Sequence, residues 1–285
     1  MLDKGESMDA HKELLSPSSL QELFKMWADT PSAIPFAGGT QIMRYQGKRV
    51  PELPPYILSL DKIAELRRVT RTEQYLEIGA MVKLSDIINL GKIVPDVFIR
   101  CLENIAGHQI RSLATIGGNI CNNPYRLDTS APLIALEAHY ELRTSSVTRW
   151  ISAGRFSGQP GPLPLNPQEL LTRIRIPLDL WDYSLYKKIK PTHRGKRGGS
   201  IVFLIRNQKN VLTDMRFVFS GDVILRDRSS EILFIGKPLP LDKKNTHTFI
   251  EKWKAYLTSR IPPLDDFLQD ALLTFLETTL LSFSD

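Results

Sequence analysis

Apolar positions recur at helical spacing in the first clear element of the chain. Leu20, Leu23, Phe24 and Trp27 share one face of SSLQELFKMWA, residues 18–28, and Ser18 or Ser19 stands where an N-cap belongs. A short apolar strand follows at Ile34 to Ala37, then Gly38-Gly39-Thr40 and a helical or extended stretch through Tyr45. Prolines 51, 54 and 55 punctuate the chain before a strand at Tyr56 to Leu60. QYLEIGA, residues 74–80, alternates as a half-buried strand does, while Ser85 to Leu90 and Val97 to Ala106 read as helices. Ile110 to Ile120 holds Gly117-Gly118-Asn119, a loop by its residue types, and Leu133 to Ala138 runs into a strand at Tyr140 to Arg143.

The stretch GQPGPLPLNP, residues 158–167, has the composition of a linker and marks the best domain boundary. Beyond it, Leu170 to Ile176, Tyr183 to Ile189, Ile201 to Arg206, Met215 to Ser220 and Glu231 to Ile235 read as strands. Thr248 to Leu257 and Asp265 to Phe283 read as helices. Strands and helices mix without the regular alternation of a doubly wound sheet, so the fold class is α+β. The domains read as 10–165 and 166–285.

Composition narrows the function. With 42% apolar and 24% charged residues in 285, the chain is an ordinary globular one, and Gly 17 plus Pro 19 is too few for low complexity. Two cysteines, Cys101 and Cys121, exclude a disulfide scaffold and a four-cysteine zinc or iron–sulfur site. No run approaches the roughly 18–20 apolar residues of a membrane span, and MLDKGESMDAHKE lacks the apolar core of a signal peptide. These features point to a cytoplasmic protein with no membrane partner. The net charge of +6 is mild. Its densest patch, Lys187, Lys188, Lys190, His193, Arg194, Lys196 and Arg197, reads as a solvated loop or, without a recognised motif, a nucleic-acid stripe.

Two segments carry candidate chemistry. In Pro35-Phe36-Ala37-Gly38-Gly39-Thr40-Gln41, paired glycines follow a strand. Glycine lets a ligand approach the main chain, and successive free N–H groups make an anion nest; an ordinary turn has the same residues. Ala114-Thr115-Ile116-Gly117-Gly118-Asn119-Ile120 repeats that logic. Neither is a Rossmann turn nor a P-loop. Two such turns would suit one extended anionic ligand, such as a dinucleotide pyrophosphate, held from two sides. Asp128 would accept hydrogen bonds from ribose or a flavin edge, or cap a helix starting at Thr129.

AGGTQIM at Ala37 to Met43, TIGGNICNNPYRLD at Thr115 to Asp128 and NPQELLTRIRIP at Asn166 to Pro177 occur in this order, with GGT and TIGGN about 75 residues apart. As an ordered set they resemble the FAD-binding medium subunit of the molybdenum hydroxylases, the family of xanthine dehydrogenase and aerobic carbon monoxide dehydrogenase. The resemblance runs from about Leu14 to the C-terminal helices. It implies a two-lobed FAD-binding domain of PCMH type followed by a smaller α+β domain. It implies an oxidoreductase subunit, active only in complex, whose FAD takes electrons from an iron–sulfur small subunit. Those electrons start at a molybdopterin large subunit and pass on to NAD or another acceptor. Carried onto this sequence, the cofactor-binding positions are Phe36, Ala37, Gly38, Gly39, Thr40, Gln41, Ile42, Thr115, Gly117, Gly118, Asn119, Asn122, Asp128, Leu171 and Lys187. Lys187 thereby gives part of the basic patch a role without nucleic acid.

The chain departs from the family in three places. Gln41 stands where many members have Asp, Asn or Glu. Asn123-Pro124-Tyr125-Arg126-Leu127 replaces a run of small residues, and Ile105 stands where some members carry an adenine-side aromatic. These motivate an alternative: an assembly or binding subunit that kept the fold and lost FAD. No general base or metal ligand is assigned. His108 reads as structural or surface, and Cys121 as a packing residue.

Overall fold

The computed structural model describes residues 12–45, 53–122, 128–158, 162–189, 198–260 and 264–283. Asn123 to Leu127 and the basic residues 190–197 lie outside the described residues. Three sheets organise the chain, each in its own layer.

The first layer is a parallel sheet of β1 (Glu13–Leu15), β2 (Ile34–Phe36) and β3 (Tyr56–Ser59), with β3 in the centre. Helices α1 (Leu20–Asp29) and α2 (Thr40–Tyr45) connect the strands. The sequence sets the start of α1: the Ser19 hydroxyl accepts from the Glu22 N–H at 3.2 Å, and the Glu22 carboxylate accepts from the Ser18 N–H and hydroxyl at 2.7 Å. Two otherwise orphaned donors are thereby satisfied. The four apolar residues read at helical spacing, Leu20, Leu23, Phe24 and Trp27, are all buried.

The second layer is antiparallel, in the order β4 (Val69–Arg71), β5 (Tyr75–Gly79), β8 (Leu170–Pro177), β6 (His139–Arg143), β7 (Thr148–Ser152). Between β5 and β6 run short helices: α3 (Leu84–Asn89), α4 (Asp96–Glu103), α5 (His108–Arg111), α6 (Ile116–Ile120) and α7 (Ser130–Ala135). Helix α8 (Ala153–Ser157) follows β7. The residues Gly117-Gly118-Asn119, read as a loop, are the middle of α6. Thr115 caps that helix by accepting from the Gly118 N–H at 3.1 Å, which overrides the turn preference of two glycines.

The third layer is antiparallel: β9 (Tyr183–Ile189), β10 (Gly199–Gln208), β11 (Val211–Ser220) and the short β12 (Ile224–Leu225), in the order β12-β11-β10-β9. Helices α9 (Arg228–Ile232), α10 (Lys243–Thr258) and α11 (Asp266–Leu281) follow. Glu231 to Ile235, read as a strand, falls on α9 and the turn after it. Asp227 accepts from the Ser229 N–H at its start, and Glu231 turns inward to accept from the Phe217 N–H at 2.9 Å.

The third sheet is buried on both faces. Val202, Leu204, Val218 and Tyr186 join the core of the second layer; Ile201, Phe203, Ile205, Phe217 and Phe219 form a second core with α10 and α11. Trp253 fills the centre of that second core, edge-on to Phe217 at 4.7 Å between ring centroids.

Residues 159–161 of the Pro/Gly-rich stretch lie outside the described residues, but the second layer resumes after it. On its far side the Gln168 amide donates to the Trp27 carbonyl at 2.7 Å, and Arg149 grips Glu169 through two hydrogen bonds of 2.7 Å. β8 then enters between β5 and β6 as the central strand. A boundary at 165/166 would cut this strand from the sheet it completes. We place the division after Pro177 instead, where both sheets stay whole.

Candidate functional site

The two glycine segments, 75 residues apart in sequence, meet in space. Gly38 lies so close to the backbone before α6 that a Cβ there would sit 2.0 Å from the Leu113 carbonyl oxygen. Gly118 faces the same junction from the other side; a Cβ on it would lie 3.8 Å from Ala37 Cβ. Gly117 is pressed against Ala80, where a Cβ would come within 2.7 Å. Gly38 and Gly117 therefore serve chain-to-chain contact, while Gly118 is exposed, with a Cβ there meeting only the Thr115 hydroxyl at 3.0 Å before Ala37. Gly39 has φ +68°, the left-handed region that glycine adopts without strain.

The two segments differ in what their amides do. The N–H groups of Ile116, Gly117 and Gly118 are taken by Val82 O, Ala80 O and Thr115 Oγ1. Among the described residues, those of Gly38 to Ile42 take no backbone acceptor. The anion nest read into both segments thus survives in the first alone. Asn119 is tied inward, its Oδ1 accepting from the Thr129 hydroxyl at 2.5 Å.

Two buried amide nitrogens have no partner: Gln41 Nε2, on α2 just after the first segment, and Asn122 Nδ2, just after α6. An unpaired buried donor costs about 1–3 kcal/mol, and among the described residues neither amide finds an acceptor, so each is open to one that a ligand brings.

Asp128 does not cap α7; Thr129 holds the N-cap position there, and its hydroxyl goes to Asn119 rather than to the helix N-terminus. Asp128 Oδ2 instead accepts from Lys188 Nζ at 2.7 Å, which also donates to the Asn104 carbonyl at 3.0 Å. The Ser200 hydroxyl fixes the Asp128 carbonyl at 3.2 Å. Behind the pair, burial pushes the Cys101 thiol and the Tyr186 phenol up, so both stay protonated.

Lys188 is the residue the sequence reading missed. Neighbours on a strand point to opposite faces. On β9, Tyr186 joins the core of the second layer, Lys188 reaches Asp128, and Lys187 turns the other way, its Nζ 5.8 Å above the Phe275 ring on α11. Lys187 is therefore apart from the other candidates. Leu171 is 3% exposed, opposite Leu142 in the core of the second layer, where it shares a cluster with Ala80, Ala114 and Ile116 beneath the glycine segments. His108 is exposed at the start of α5, and burial pushes the Cys121 thiol up to about 12, so neither is poised for chemistry. Among the described residues no group of three or more His, Cys, Asp or Glu is placed to hold a metal, and no helix is long and apolar enough to cross a membrane.

The family model of the FAD-binding domain in molybdopterin dehydrogenase matches residues 9–179. The chain belongs to that family. It is 26% identical over 250 residues to the glyceraldehyde dehydrogenase medium chain of Sulfolobus acidocaldarius, covering 87% of each chain. It is 29% identical over 163 residues to the xanthine dehydrogenase FAD-binding subunit of Escherichia coli O157:H7, covering 56% of each. The fold matches quinoline 2-oxidoreductase from Pseudomonas putida 86 (TM-score 0.78, 20% identity) and a carbon monoxide dehydrogenase from Hydrogenophaga pseudoflava (TM-score 0.78, 22% identity), each over 96% of both chains. The chain is an FAD-binding subunit of the molybdenum hydroxylase family, and its cofactor is FAD. The two orphaned amides and the unbonded N–H groups of Gly38 to Ile42 fit that cofactor: they offer donors, and a pyrophosphate, ribose and flavin supply acceptors.

Proposed function

We propose that this chain is the electron-transferring middle subunit of a molybdenum hydroxylase complex. Electrons would arrive from iron–sulfur clusters on a small subunit, having started at a molybdopterin large subunit, and leave to NAD or another acceptor. Bound FAD supplies the redox chemistry there. The chain's own residues bind, orient and tune it.

In this reading the free amides of Gly38 to Ile42 take the pyrophosphate, with Phe36 and Ala37 leading the chain into them from β2, and Thr40 adds a hydroxyl. Gly118 and Thr115 form the opposite wall, with Gly117 and Asn119 holding that wall in place. Gln41 Nε2 and Asn122 Nδ2 close on cofactor acceptors. Asp128, held by Lys188, takes hydroxyl or ring N–H donors, and the Lys188 ammonium stabilises negative charge nearby. Leu171 supports the apolar floor from the core, and Lys187 has no part.

The observation that carries this reading is the pair of unpartnered buried amides, Gln41 Nε2 and Asn122 Nδ2, one beside each of the two segments that meet. An assembly subunit that had lost FAD would gain stability by replacing them with apolar side chains. Titrating the flavin-free chain with FAD, by fluorescence quenching, tests the reading. Saturable binding near one FAD per chain is expected. Absent binding, both alone and with the iron–sulfur and molybdopterin subunits added, would favour the assembly role.

A further inference from the structure

A second concave site lies away from the glycine segments. It is a pocket of about 570 Å³ where the second layer meets the third, within the size range of small-molecule sites. Arginines from three separate elements converge on it: Arg155 on α8, Arg226 and Arg228 around the start of α9, and Arg260 just after α10. Glu137 is the one carboxylate in the lining, and His139 stands beside it.

The charges do not balance. Glu137 is shared by Arg226 at 3.5 Å, Arg228 and Arg216 at 3.6 Å. Glu231, behind the wall, holds Arg226 at 3.1 Å. Among the described residues, Arg155 and Arg260 face no carboxylate at all; Arg260 has only the Tyr256 ring, 5.7 Å away. Arg226 is also pinned to the Ile134 carbonyl at 3.3 Å, so part of the cationic wall is fixed before any ligand arrives. Ile224 and Tyr256 add apolar surface.

Like charges gathered in a concave, partly desolvated place raise one another's potential and attract counter-ions. Guanidinium groups match tetrahedral oxyanions through paired N–H donors, and Arg is favoured over Lys wherever such planar recognition matters. We propose that this pocket is a second ligand site, taking a small molecule that carries a phosphate or pyrophosphate group. It is separate from the flavin cleft, because none of its lining residues belongs to the glycine segments, to Asp128 or to Lys188. Its walls come from both sides of Pro177, so a bound anion would tie the second layer to the third.

Isothermal titration of the full chain with inorganic pyrophosphate at low salt tests the proposal, once with the flavin-free chain and once with the chain saturated in FAD. With FAD bound, and the nest of the glycine segments thereby filled, one saturable site is expected to remain, and its affinity should match a site seen in the flavin-free chain. Arg155→Gln and Arg260→Gln should each weaken it about tenfold with little change in melting temperature, since among the described residues neither side chain is held in an ion pair and Arg260 has only the distant Tyr256 ring. Competition by AMP would identify a phosphate ester as the natural class; competition by inorganic phosphate alone would identify the free anion. Absence of a saturable site, its loss when FAD is added, or full affinity in both variants would overturn the proposal.

Discussion

Replacing Gly38 by alanine puts the least possible atom into the contact that brings the two FAD segments together. A Cβ there would lie 2.0 Å from the Leu113 carbonyl oxygen and 2.8 Å from its carbonyl carbon, whereas ordinary contact begins near 3.4 Å. Both obstacles are backbone, so no side chain can swing aside. The segments must part by about 1.4 Å, and overpacking of this kind costs about 1–3 kcal/mol. At about 2 kcal/mol the melting temperature falls by roughly 4–8 °C for a chain of this size. The same displacement moves the amides of Gly38 to Ile42 away from Gly118, so FAD affinity falls with it. Thermal melting and FAD titration of one preparation read both quantities. Gly154→Ala is the matched control: the same methyl meets nothing within 4 Å there, and neither quantity should drop. A Gly38→Ala protein that melts and binds FAD like the parent refutes the close approach. One that melts lower yet binds FAD with full affinity refutes its role in shaping the site.

Asn122→Leu and Gln41→Met remove buried donors that have no partner among the described residues, so flavin-free stability should hold or rise while FAD affinity drops about tenfold; a loss of flavin-free stability would contradict the assignment. Lys188→Met should weaken FAD binding about tenfold and Lys187→Met should leave it unchanged, because only Lys188 reaches Asp128; equal effects in titration would reverse that distinction. Arg149, by two hydrogen bonds, and the Asn166 N–H hold the Glu169 carboxyl below its usual value of 4.5. A depressed folded pKa stabilises above the unfolded value and is lost as pH falls through the folded one. Denaturant melts should therefore show Glu169→Gln about 2 kcal/mol less stable near pH 7, with the gap closing below pH 4.5; a gap independent of pH would show that the charge is not what holds the loop.

Much of this fold is legible because periodicity is written densely in it. The face of α1 is given by Leu20, Leu23, Phe24 and Trp27, and its start by Ser19 and Glu22. β10 reads as an unbroken apolar run because both its faces are buried. Local preference misleads where tertiary contacts decide. Gly117 and Gly118 look like a turn, yet α6 needs a residue without Cβ against Ala80, and Thr115 caps the helix. Ile232 and Leu233 look like strand residues, yet Glu231 is drawn inward by Arg226 and the Phe217 N–H, which fixes a helical turn. Proline and glycine at 158–167 look like a domain boundary, because a sequence does not show that β8 is to be threaded between β5 and β6. Lys187 and Lys188 differ by one register step, and that step decides which reaches Asp128. The Gly-Gly segments themselves were readable; which of their amides stay free was not, because Ala80 and Val82 supply the acceptors from elsewhere in the chain.

The most direct test of the account is the visible spectrum of the purified full chain, with identification of the cofactor released on denaturation. The account predicts a flavin spectrum and close to one FAD per chain, either as purified or after incubation with FAD. A colourless protein that takes up no FAD, even with the proposed iron–sulfur and molybdopterin partners present, would contradict it.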